Sequence, residues 1–289
     1  MTQTLGLALA LACALTTNFG FLCKQRGASA APAVDCRRPL WSAKQLFASR
    51  LFTIGMLIAT GAWVFHIAAM ALAPLSMVQV VLASGVVLLA VMAERVLGVA
   101  VGLRQWLGLL LTAAGLMLLG ISLPAAHGAQ SHFSVGGILG FEGALLGVGA
   151  LLIVGPRIGA GADHHGAMLA GAAGTMFGVS DVALKALTGV FGAHGVLGLV
   201  SPWLAIAVLG SIVGFYTSAK SLQDGEPVAV IAVTATATNV SGILGGLLVF
   251  GDPFPSSIVG VVTGVLAFVM VLIAAWLTPG PGRAPALAA

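Results

Sequence analysis

Charge is scarce in this chain: 8 acidic and 12 basic side chains serve 289 residues, 7% in all, against roughly 25% in an ordinary soluble domain. So few charges cannot clothe a soluble fold of this length, and that class is excluded. The small positive excess, formally +4, forms no basic stripe with interleaved aromatics, so no nucleic-acid partner is expected. Cysteine is nearly missing as well. Cys13, Cys23 and Cys36 are an odd set with neither a CxxC nor metal-type spacing, which excludes a disulfide framework and a thiolate metal site. All three read as reduced thiols without a role. There is no Walker loop, no HExxH and no G-x-S-x-G elbow, so neither an enzyme nor a cofactor is expected. Asp163-His164-His165 crowds its polar groups too closely for a metal site.

What the chain has instead is apolar length. Hydrophobic residues make up 59%, in repeated runs near the 20 or so residues that cross a bilayer. The runs predict nine helices, at Thr4–Cys23, Leu46–Leu72, Pro74–Ala93, Arg104–Ile121, Gly136–Val154, His165–Val190, Ser201–Leu222, Val228–Phe250 and Pro255–Leu277. The expected class is therefore an all-α integral membrane protein whose first partner is the lipid bilayer. The 40 glycines suit close helix packing in lipid. The first run is not a signal peptide, because no basic residue precedes it while Lys24 and Arg26 follow it.

Basic residues set the orientation. With the N-terminus outside, Lys24, Arg26, Arg37, Arg38, Lys44 and Arg50 fall in or beside the first inner loop. Arg95 and Arg104 fall in the second, Arg157 in the third, Lys220 by the fourth, and Arg283 in the tail. No outer loop carries Lys or Arg, and an even helix count breaks the pattern. The expectation is an outside N-terminus, a cytoplasmic C-terminus, and a plasma-membrane location of the bacterial inner-membrane type.

The halves echo each other. Phe65-His66-Ile67-Ala68-Ala69-Met70-Ala71-Leu72 and Phe215-Tyr216-Thr217-Ser218-Ala219-Lys220-Ser221-Leu222 share the pattern F-x-x-[A/S]-A-x-[A/S]-L. Each precedes a turn, an apolar helix, an acidic residue (Glu94 or Asp252) and a Gly-containing helix, and the copies run in opposite directions. The reading is two inverted repeats, of four helices (residues 1–121) and five (136–277), with an outer loop at 122–135 and a disordered tail at 278–289.

The stretch Ala71-Leu72-Ala73-Pro74-Leu75-Ser76-Met77-Val78-Gln79 through Glu94 to Gln105-Trp106-Leu107-Gly108, with its counterpart Gly225-Glu226-Pro227 through Gly251-Asp252, resembles the EamA-type unit of the drug/metabolite transporter superfamily. That resemblance implies an inverted duplication and transport of a small solute. Ten helices are common there. Nine helices resemble the NIPA-like magnesium-transporter branch, whose substrate does not carry over because no metal motif matches.

Ionisable groups within a span are costly, at about 2.5–3.5 kcal/mol on insertion scales, and are functional candidates. His66, Gln79, Glu142, Asp181 and Lys185 come from four helices and share one layer in the outer half of the bilayer. Asp181 and Lys185, at i, i+4, can form a salt bridge that is structural. Glu142 is then the unbalanced acid, able to carry a proton or meet a cation, or a neutral hydrogen-bonded carboxyl. His66 is a proton relay or, more simply, a hydrogen-bonded histidine. Thr234, Thr238 and Asn239, with Ser241, place polar groups at the middle of the eighth helix, to line a pathway or to pack against a neighbour. Asp224 and Glu226 read as caps of that helix, and Tyr216 and Lys220 as snorkelling side chains.

The expected function is secondary transport of a small metabolite or cation by alternating access between the repeats, with any coupling to protons through Glu142 and Asp181. A second copy of the chain is a candidate partner. Two other classes stay open: an intramembrane enzyme using His66 with a carboxylate, and a non-catalytic membrane subunit.

Overall fold

The computed structural model describes residues 2–35, 37–92, 102–122, 133–155, 165–225, 227–252 and 257–277. Among these residues every regular element is a helix. The elements are α1 (Thr2–Ser29), α2 (Pro39–Ala48), α3 (Arg50–Leu72), α4 (Leu75–Met92), α5 (Leu103–Ser122), α6 (Val135–Val154), α7 (His165–His194), α8 (Pro202–Asp224), α9 (Pro227–Leu248) and α10 (Ile258–Leu277), with a 3-10 turn at Gly195–Leu199. Each expected apolar run meets a helix. Among the described residues, six helical segments are long and apolar enough to cross a membrane: Gln3–Ser29, Arg50–Leu72, Val135–Val154, His165–Leu199, Pro202–Asp224 and Ala229–Leu248. Glu94, Arg95, Arg157, Asp163, His164, Glu226, Cys36, most of the 122–135 loop and the 278–289 tail lie outside the described residues.

One boundary differs from the expected one. The second run does not begin at Leu46, because Ser49 is extended (φ −76°, ψ 119°) and caps α3 by accepting a hydrogen bond from Phe52 N. The residues before it form the separate α2, started by Pro39 at its first turn. Its Leu40 and Trp41 are exposed, as on an interfacial helix.

Packing follows the small residues. Helices α1 and α3 run antiparallel, and a Cβ on Gly20 would lie 3.1 Å from Gly55 O. Helices α7 and α9 run parallel, and a Cβ on Gly174 would lie 2.5 Å from Thr234 O. Side chains larger than hydrogen would force these backbones apart. Helix α1 packs on α3 and α4, α7 packs on α8 and α9, and α4 meets α9 in the middle. Helices α6 and α10 turn Leu139, Leu146, Leu151, Val259, Val262 and Leu266 outward, a surface suited to lipid tails.

The two ends of the bundle differ chemically. At one end Gln223 ties α8 to the α1–α2 connection, donating to Ala28 O and Pro32 O and accepting from Val34 N. Tyr216 donates to Pro39 O, and Asp224 is held by Lys220 at 2.9 Å and His165 at 3.3 Å. Asp224 thus meets Lys220 of its own helix and His165 of α7, while Glu226, the other expected cap of α9, lies outside the described residues. At the other end Phe133, Trp203 and Phe250 meet edge to face.

Candidate functional site

Between the halves lies a cavity of about 450 Å³, walled by α1, α3 and α4 on one side and α7, α8 and α9 on the other. Its wall includes five aromatic side chains, Phe21, Phe52, Trp63, Phe177 and Phe215. Three of its polar groups, His66, Gln79 and Asp181, meet where α3, α4 and α7 converge.

There Asp181, 6% exposed, is the central group. Gln79 Nε2 donates to its Oδ2 at 2.8 Å, and His66 Nε2 lies 3.4 Å from its Oδ1. Gln79 reaches it by lying across Gly242 of α9, where a Cβ would come within 2.5 Å of Gln79 Cγ. With Asp181 ionised its oxygens only accept, which places Gln79 Nε2 toward it. This leaves Gln79 Oε1 as a buried acceptor with no hydrogen bond among the described residues. Behind His66, Cys13 Sγ sits 3.9 Å from Nδ1. The imidazole thus faces a thiol on one side and a carboxylate on the other. Its two nitrogens diverge, so one metal ion cannot take all three groups. No cluster of three metal-ligating side chains occurs among the described residues.

Polar groups also line the α9 wall. Thr234 Oγ1 donates to Ala170 O at 3.2 Å, joining α9 to α7, while Thr238 Oγ1 shares its one proton between Thr234 O at 2.9 Å and Gly174 O at 3.2 Å, and both hydroxyls border the cavity. Asn239 borders the same space. Of the residues expected to form a site, His66, Gln79, Asp181, Thr234, Thr238 and Asn239 all line this cavity. Glu142 and Lys185 do not.

The expected Asp181–Lys185 bridge is not formed. Lys185 Nζ donates instead to Met70 O at 2.7 Å and Ala73 O at 3.0 Å. The carbonyls at a helix C-terminus lack intrahelical partners and carry the negative end of the helix dipole, and they draw the ammonium away from its neighbour one turn back. Asp252 Oδ2 accepts from Ser76 N at 2.9 Å, so the break between α3 and α4 is held from both sides by charged groups of the other half. Glu142 is buried at 3% exposure on α6, and its Oε1 has no hydrogen bond among the described residues.

Sequence reasoning missed Asn18, Lys24, Cys13 and the serine pair. Asn18 donates to Ala14 O and Gly85 O, joining α1 to α4. Ser180 donates to Ala207 O and meets Ser211 Oγ at 2.8 Å. Lys24 Nζ rests 3.9 Å over the Phe21 ring. A polar side chain in the middle of an apolar run was the available signal for Asn18.

The chain is 22% identical over 281 residues, spanning 92% of its own length and 79% of the other, to a protein of Arabidopsis thaliana described as "Probable magnesium transporter NIPA9". No family model matches it, and no solved structure does. The similarity to a membrane transporter thus runs through both halves of the bundle that encloses the cavity.

Proposed function

We propose that this protein is a secondary membrane transporter that moves a small cationic solute through the cavity between its halves, by alternating access between two inverted repeats. The carrying observation is the cavity itself, bordered by both halves and holding the carboxylate of Asp181 beside His66. The pairing of helices supports the repeat: α1 with antiparallel α3 and parallel α4 corresponds to α7 with antiparallel α8 and parallel α9. The distant likeness to a protein described as a magnesium transporter supports a cation over an anion. His66 and Asp181 are close enough to exchange a proton through a small shift, which supplies a coupling device without a nucleotide site.

Magnesium fits the polar end of the cavity only as a hydrated ion. It demands near-octahedral oxygen at about 2.0–2.1 Å and usually keeps several waters, binding through one or two carboxylates. Asp181 is one such carboxylate. The test is uptake into liposomes holding the purified protein, with Mg²⁺ and a panel of organic cations outside, with and without a proton gradient. Uptake that exceeds empty liposomes and falls in Asp181→Asn supports the reading. Wild-type flux no greater than that of empty liposomes across the panel sinks it.

A further inference from the structure

The cavity offers chemistry that a hydrated metal ion does not use. Its volume of about 450 Å³ falls within the range of small-molecule sites, roughly 300–1,000 Å³. Away from Asp181 its wall mixes aromatic rings with hydroxyl side chains and Lys24, whereas the end where α3, α4 and α7 meet presents acceptors. Asp181 keeps spare acceptor capacity: a carboxylate has about four lone-pair sites, and Gln79 and His66 approach one oxygen each. Gln79 Oε1 is a second acceptor, buried and lacking a donor among the described residues. A buried acceptor left unmade is costly, so Oε1 favours a ligand that brings an N–H or O–H donor, and His66 Nε2, 3.4 Å from Asp181 Oδ1, also lacks a hydrogen bond among the described residues. Aromatic faces attract cations, and the wall already shows it where Lys24 Nζ rests over Phe21.

We propose that the cavity binds an organic primary ammonium ion, with its head donating to Asp181 and Gln79 Oε1 and its apolar body lying against Phe52, Phe177 and Phe215. The assignment rests on the transporter reading of the same cavity and names its substrate class. An ammonium brings three donors in a compact head, which matches the acceptors left open. A neutral apolar molecule would leave both acceptors unmade. A bare metal ion would leave the aromatic length empty.

The experiment is equilibrium binding of radiolabelled 2-phenylethylamine to the purified full chain in detergent. Competitors are 2-phenylethanol, which keeps the ring and loses the charge, and MgCl2. Saturable binding that neither competitor displaces is expected, weakened about tenfold or more in Asp181→Asn. A second variant, Phe177→Ala, guards against a misfolded Asp181→Asn: it should weaken 2-phenylethylamine while leaving displacement of the label by methylamine unchanged. No saturable binding, equal displacement by 2-phenylethanol, or displacement by MgCl2 at the same concentrations overturns the assignment. Flux is read separately in liposomes. Amine binding without flux of any solute sinks the transporter reading alone, and Mg²⁺ flux without amine binding sinks the amine assignment alone.

Discussion

Lys185 of α7 donates to the carbonyl of Met70 at 2.7 Å, closing the C-terminus of α3 from the opposite half of the protein. Its ammonium also reaches Ala73 O at 3.0 Å, so two carbonyls beyond the helical ladder are satisfied by one side chain. Lys185→Met should therefore lower stability by about 1–3 kcal/mol, the range for stranding buried acceptors. Asp181→Asn should not rescue it. A double-mutant cycle read by thermal unfolding in detergent is expected to give a coupling below about 0.5 kcal/mol, and a larger one would restore the i, i+4 bridge.

The other side of that break depends on Asp252. Its carboxylate accepts from Ser76 N at 2.9 Å, at the first turn of α4, where N–H groups lack intrahelical partners. Asp252→Asn keeps an acceptor, while Asp252→Ala leaves the amide unmade. The alanine variant should lose about 1 kcal/mol more than the asparagine variant, as at other helix caps. Equal unfolding temperatures for the two variants would show that the carboxylate does not cap α4.

Helix positions were legible because lipid imposes long apolar runs, and the polar interruptions stood out because each is costly there. His66, Gln79 and Asp181 stood out from sequence and meet in one site. Their pairing was not legible, since spacing within one helix says nothing about which neighbouring helix end competes for a charge. Lys185 shows this: its i, i+4 partner lost to carbonyls 112 and 115 residues away in the chain. The break at Ser49 was equally hidden, because Leu46 to Leu72 is apolar enough to read as one run. Asp252 was noted as an acidic landmark after an apolar helix, and its capping role depends on a fold-back that no local pattern announces.

Gly242 matters through what crosses it. A Cβ there would lie 2.5 Å from Gln79 Cγ and 2.7 Å from Gln79 Nε2, too close for either atom to stay. Gly242→Ala should cost about 1–3 kcal/mol by overpacking and swing Gln79 away from Asp181. Solute flux in liposomes should fall further than the loss of folded protein explains. Adding Gln79→Ala, which removes the Cγ that a Cβ at 242 would strike, should recover stability but not flux. Unchanged flux in Gly242→Ala would remove Gln79 from the site.

Orientation can be read with cysteines placed at the two ends of the bundle, in a background lacking Cys13, Cys23 and Cys36. Val135 and Val200 are exposed at the end away from the Lys and Arg cluster, and Leu40 is exposed within that cluster. If basic residues face the cytoplasm, an impermeant thiol reagent should label Val135→Cys and Val200→Cys in intact cells. Leu40→Cys should react only after permeabilisation. The opposite pattern would invert the topology.

The two buried acids should separate in a transport assay. Asp181 borders the cavity, touches His66 and accepts from Gln79, so its charge meets whatever enters. Glu142 is as deeply buried, at 3% against 6% exposure, but it stands on α6, outside the cavity wall. Asparagine at 181 keeps the shape and can still receive the Gln79 bond, while it removes the negative charge that holds a cation. Asp181→Asn should therefore fold, as judged by a single monodisperse peak on size exclusion, and lose most uptake and exchange alike. Glutamine at 142 removes a proton carrier without touching the binding space. Exchange, which needs only binding and reorientation, should survive in Glu142→Gln. Concentrative uptake tests whether Glu142 couples: a drop with exchange intact assigns it the proton, and wild-type uptake makes it a structural group of the α6–α7 contact. Loss of exchange in Glu142→Gln together with normal exchange in Asp181→Asn would move the substrate site out of the cavity.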